Sequence, residues 1–260
     1  MVARDGRLAL KLMSLREYLA ASRQARYSVT FALPLLLLYE GLTALLPSRA
    51  LGDVRNGADV LLKTVFVALG GRNGVTAFGV LLLVGGAWAV WQDSRRHPGP
   101  IRAAVLAGML LESMVYAAVF GFVVSALTAV VLGGGAGLAV AQGQARNALP
   151  VAAQLVVSVG AGIYEELLFR VLLVSGLVGL ATLIGWPRPV GLAMAIVGSA
   201  AIFSAFHYVG PLGDTFRLVS FTFRAVAGLV LSGLYLTRGF GITAWTHALY
   251  DVGLSLLGRF

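Results

Sequence analysis

The chain has 260 residues, of which 58% are hydrophobic and 12% charged, with a mean hydropathy of +0.87. A soluble domain carries about twice that share of charge, so the composition excludes an ordinary water-soluble protein and requires a bilayer. The net charge of +9 would suit a nucleic acid, but the basic residues gather in tails and loops beside apolar runs, where membrane orientation demands them. Nucleic acid is therefore excluded, and membrane lipid is the expected partner.

Arg4, Arg7, Lys11, Arg16, Arg23 and Arg26 precede the first apolar run, and Leu8, Leu12, Leu15 and Leu19 recur among them at helical spacing. This pattern predicts an amphipathic helix over 7–25, lying on the inner membrane surface within a basic segment 1–26. Since about 20 apolar residues cross the hydrocarbon core, spans are expected at 27–46, 74–92, 103–132, 149–171, 190–209, 218–237 and 242–258. A shorter run at 172–185 reads as another span or a re-entrant piece. The fold class that follows is all-α, a polytopic transmembrane helical bundle of about eight membrane segments, because lipid offers no partner to an unpaired backbone group.

The first run carries Glu40 and leads into LLPSRALG, which lacks a small-residue cleavage pattern, so it is read as an uncleaved span. Arg95, Arg96 and Arg102 follow the second run, which places both the amino terminus and the 93–102 loop in the cytoplasm of what reads as a bacterial inner membrane protein. GGGAG at 133–137, WPRP at 186–189 and GPLGD at 210–214 punctuate the helices as loops. The organisation expected is a basic segment 1–26, N-terminal transmembrane helices 27–148 and a C-terminal core 149–260. The absence of cysteine excludes disulfides, thiolate metal ligands and a cysteine nucleophile.

Chemistry gathers in the C-terminal core. VSVGAGIYEELLFRVLLVSGLVGL, residues 157–180, sets Glu165, Glu166 and Arg170 inside an otherwise apolar stretch. Each charge near a bilayer centre costs about 2.5–3.5 kcal/mol by translocon insertion, so three need a reason. Glu166 and Arg170 are four residues apart with the acid first, the favoured spacing for an ion pair on one helix face. Glu165 is turned about 100° away and faces another neighbour. The plainer reading, charges snorkelling at a span end, fits poorly with apolar sequence continuing on both sides.

Further along, AIFSAFHYVG sets His207 one turn after Phe203, and AWTHALYDVG sets His247 and Asp251 one turn apart on a common helix face. A lone histidine in a span commonly packs with a hydrogen bond and nothing more. Here both intramembrane histidines accompany Glu165 in the same half of the chain, as the parts of one site would.

EELLFR, FSAFH and HALYD, in this order, resemble the E-E-x-x-x-R, F-x-x-x-H and H-x-x-x-N/D motifs of the CPBP intramembrane proteases, the family of type II CAAX prenyl proteases and bacteriocin-processing peptidases. The resemblance covers about 150–258. It implies an intramembrane endopeptidase with Glu165, His207, His247 and Asp251 as catalytic residues and Glu166, Arg170 and Phe203 in support. Asp251 stands where the best-studied eukaryotic members carry Asn.

The residue types suit peptide hydrolysis. A carboxylate without its own counter-ion can take a proton from water, His207 can position that water, and His247 can donate to an oxyanion while Asp251 orients it or binds substrate. The alternative is that Glu165, His207, His247 and Asp251 hold a divalent metal such as zinc, which would generate the nucleophile itself. The substrate implied is a peptide or protein, whether a membrane-anchored or lipidated C-terminus or an unmodified membrane-protein tail.

Other intramembrane peptidases fit less well: there is no H-E-x-x-H helix and no G-x-S-G, and the YD and LGD pairs occur in the reverse of the presenilin order. The competing class is a non-catalytic transporter or channel, or a peptide-binding immunity protein. It rests on Glu40, Glu112 and Arg224, three further charges that fall in predicted spans.

Overall fold

The computed structural model describes residues 13–46, 55–134, 149–210 and 213–257, and among them every regular element is helical. Most of the basic N-terminal segment's first half, and the 135–148 stretch that includes part of GGGAG, lie outside the described residues. The first described helix, α1, spans Leu15–Ser22. Its start is set by a capping box: the Ser14 hydroxyl accepts from the Glu17 amide at 3.2 Å, and the Glu17 carboxylate accepts from the Ser14 amide at 2.9 Å. Helix α2 spans Ala25–Leu45, so the expected 7–25 helix is shorter where described and gives way to the first span by a brief turn.

Helix α3 spans Gly57–Gly70 and a single 3-10 turn at Gly71–Asn73 joins it to α4, Gly74–Arg96. Helix α5 spans Ala103–Val131, α6 spans Val151–Leu183, α7 spans Arg188–Phe206, α8 spans Leu218–Arg238 and α9 spans Phe240–Leu257. Among the described residues, six helical stretches are long and apolar enough to cross a membrane: α2, the α3–α4 pair taken together, α5, α6, α7 and α8. The protein is a multi-pass integral membrane protein with an all-helical fold.

Two segments differ in placement from the sequence reading. The run at 172–185 is neither a separate span nor re-entrant; it continues the 149–171 helix within α6, because no proline interrupts it and the helix stops only at Gly185, whose φ is 79°. Conversely, α3 is an element that the apolar runs do not announce. Its 14 residues include Asp59 and Lys63, which neutralise one another one turn apart at 2.7 Å, so two charges conceal an otherwise apolar helix.

Helix α9 is the hub, packed against α2, α5, α6 and α8. It carries Thr243, Thr246, His247, Asp251 and Ser255, polar side chains that the neighbouring helices bury. The approach of α6 to α9 is close: a Cβ at Gly162 would lie 2.5 Å from the Ala244 carbonyl oxygen and 2.5 Å from the Ala248 Cβ, so only glycine admits this packing. Further contacts tie α9 down, among them the Trp245 indole N–H donating to the Phe31 carbonyl at 2.6 Å.

Candidate functional site

The site begins with an irregularity in α6. After regular α-helix from Val151 to Gly160, the backbone widens into π turns at Ala161–Glu165 and again at Leu167–Val174, before closing to α-helix from Ser175. Single π turns inside α-helices are often found at functional sites, because the extra residue per turn re-aims the side chains that follow. Glu165 ends the first π segment and Glu166 lies between the two.

The two glutamates have different surroundings. Glu166 is fully buried; its Oε1 lies 3.0 Å from Nη1 of Arg170, and the same oxygen is 2.7 Å from Nδ1 of His247 on α9. Thus the predicted Glu166–Arg170 pair is present, and Glu166 also holds a histidine that sequence spacing did not assign to it. Arg170 is itself buried, with its guanidinium carbon 4.5 Å from the Phe203 ring centre. Glu165, also buried, accepts through Oε1 from the Asn56 side-chain Nδ2 at 2.8 Å, and its Oε2 has no hydrogen-bonding partner among the described residues.

His207 caps the C-terminal end of α7 and is half-buried. Its Nδ1 lies 2.8 Å from the Phe203 carbonyl oxygen. A carbonyl only accepts, so Nδ1 carries the proton, and in the neutral ring Nε2 offers a lone pair. The Phe203 ring meets the His207 ring edge-on at 4.9 Å and the His247 ring at 6.1 Å, so one aromatic side chain touches both histidines and Arg170. Glu165 and His247 are both near enough to His207 to act on its charge. Asp251 lies one turn beyond His247, with Oδ2 3.9 Å from Nε2.

Glu165, His207, His247 and Asp251 are thereby brought to one region between α6, α7 and α9. No group of three or more His, Asp or Glu side chains is disposed to hold a metal ion among the described residues. Glu166 engages Nδ1 of His247, and a backbone carbonyl engages Nδ1 of His207. Both contacts are at Nδ1, which orients each imidazole and leaves its Nε2 as the remaining donor or lone-pair position.

The three charges that supported a transporter are each engaged locally. Glu40 accepts from Tyr164 and from Lys63 at 3.0 Å and pairs with Arg55 at 3.3 Å. Glu112 binds Arg238, and Arg224 binds Asp214. Each is held by at least one neighbour of opposite charge. Asn56, by contrast, is a site neighbour that sequence reasoning missed. Its place as the cap of α3 could be read from Asn-Gly before a helical run, but its contact with a residue 109 positions later could not.

Residues 147–253, which cover α6 to α8 and most of α9, match the family described as Type II CAAX prenyl endopeptidase Rce1-like. No curated protein and no solved structure matches the chain. Through this C-terminal region, less than half of its length, the chain is similar to the type II CAAX prenyl endopeptidase Rce1-like family.

Proposed function

We propose that the protein is an intramembrane endopeptidase in which Glu165 and His207 together activate a water molecule. The observation that carries this reading is the asymmetry of Glu165: one oxygen is held by Asn56 and the other is buried without a partner among the described residues. A water between that free oxygen and Nε2 of His207 meets two acceptors, so both its hydrogens are directed at the protein and its lone pair is left toward the substrate carbonyl.

Glu165 takes one proton as the water oxygen bonds to the carbonyl carbon. The oxyanion that forms needs a donor. His247, held through Nδ1 by Glu166, supplies Nε2–H when both ring nitrogens carry hydrogen, and Glu166 and Asp251 on either side neutralise that charge. Glu165 then returns its proton to the leaving amine nitrogen as the C–N bond breaks. Arg170 and Phe203 fix Glu166 and the two imidazoles in register and take no part in proton transfer.

The substrate is a peptide segment of a membrane-anchored or lipidated protein, since the polar site lies among helices whose outer faces are apolar. The decisive experiment incubates the purified protein with a peptide mixture and compares it with Glu165→Gln. Loss of a general base commonly costs about 10²–10⁴-fold. Cleavage that persists in the variant would overturn the assignment.

We further infer a cytoplasmic amino terminus in a bacterial inner membrane, from the arginines before α2 and around the α4–α5 loop. A cysteine introduced at Ser94 should resist an impermeant thiol reagent in intact cells and react after permeabilisation. Labelling in intact cells would invert the topology.

A further inference from the structure

We propose that Asn56, outside the family-matching region, is a positioning residue for Glu165, so that the N-terminal helices complete the site. This rests on the role given to Glu165 above. Asn56 is buried and has no freedom to turn. Its Oδ1 caps α3 by accepting from the Ala58 amide at 2.9 Å, which leaves Nδ2, a pure donor, facing Glu165 Oε1 at 2.8 Å.

The backbone of Asn56 is fixed as well. Its amide donates to the Tyr39 hydroxyl at 3.1 Å, and that hydroxyl donates to Asp59 Oδ2 at 2.8 Å. Asp59 in turn is ion-paired with Lys63 at 2.7 Å and with Arg55 at 3.2 Å. Helix α6 presses on this assembly through Gly160, where a Cβ would lie 2.5 Å from the Tyr39 ring and 2.7 Å from the Asn56 Cβ. Helices α2, α3 and α6 thus converge on one carboxamide, and its N–H makes the two Glu165 oxygens unlike. One is anchored; the other alone faces the water.

A purely structural cap would be replaced by Ser or Asp without consequence for Glu165, since both cap helices well. The positioning role predicts otherwise, because neither retains a carboxamide donor at that reach. The test treats intact wild-type protein, Asn56→Ser and Asn56→Asp with dicyclohexylcarbodiimide, an apolar reagent that adds to membrane-buried carboxyl groups. Adducts at Glu165, Glu166 and Glu40 are compared by peptide mass spectrometry.

Release of Oε1 should raise the Glu165 adduct relative to Glu166 by about tenfold, the weight of one hydrogen bond to a charged group, and by more with Asp. With whichever peptide shows Glu165-dependent cleavage, Asn56→Ser should lower kcat about tenfold and leave KM nearly unchanged. An unchanged adduct ratio overturns the contact. A raised ratio with normal kcat overturns the positioning role. If no peptide is cleaved in a Glu165-dependent way, the peptidase reading fails, and the adduct ratio still decides whether Asn56 holds this carboxylate.

Discussion

Two acid-centred clusters of the bundle are finished differently. Near the chain's basic N-terminal segment, Glu112 receives Arg238 Nε at 2.5 Å on one oxygen, and Arg238 Nη2 at 2.8 Å and the Tyr18 hydroxyl at 2.5 Å on the other. Arg238 also donates to the Ser22 hydroxyl at 2.7 Å. Both carboxylate oxygens are used, and the result is a clasp that joins α1, α5 and α8. At the other cluster, Glu165 and Glu166 each keep one buried oxygen without a hydrogen-bonding partner among the described residues. A saturated cluster can hold helices but has no capacity left for a reactant. An unsaturated one carries a desolvation cost, which is tolerated where chemistry needs an open acceptor.

The largest effect that would sharpen this contrast comes from Arg170. Arg170→Ala leaves Glu166 charged, buried and without its cation, a change that commonly costs about 3–5 kcal/mol. Glu165→Gln removes a carboxylate with no cation of its own and should leave thermal unfolding in detergent nearly unchanged. Equal losses in the two variants would break the division between a glutamate paired with a cation and one without.

A smaller effect is expected at the saturated cluster. Arg238→Ala should lower stability by about 1.5–3 kcal/mol, as for hydrogen bonds to a charged group, without loss of peptide cleavage in the protein that remains folded. The smallest effect is a pH effect at Tyr18, which lies outside the membrane-crossing helices. Burial first, and then the Glu112 carboxylate to which it donates, push the Tyr18 phenol above its ordinary value of about 10. The folded state therefore holds this proton more tightly, so the contribution is complete below about pH 10 and is lost as pH rises beyond it. Wild-type unfolding temperature should fall over that alkaline range, and Tyr18→Phe should lack this part of the fall.

What could be read from the chain divides along the reach of a single helix. Glu166 with Arg170, and His247 with Asp251, are four residues apart, and one helix turn brings each pair together whatever the rest of the protein does. The all-helical fold followed from composition for an equally local reason, the need of each apolar run to satisfy its own backbone. The partners supplied by other helices were not legible: Asn56 for Glu165, Glu166 for His247, and Arg238 for Glu112. Each depends on packing between segments 81 to 126 residues apart, for which no periodicity gives a signal. Helix α3 is hidden in the sequence because its paired Asp59 and Lys63 look like loop charges until the one-turn spacing is placed in three dimensions.

The place of α9 in the chain bears on how the protein is made. This helix supplies His247 and Asp251 and follows every other described helix in chain order. It packs against α2, α5, α6 and α8, all of which precede it in the chain. Because His247 and Glu166 lie 81 positions apart in the chain, the site proposed above is complete only once α9 has packed against α6, and on that reading a nascent chain still leaving the insertion machinery holds no working peptidase.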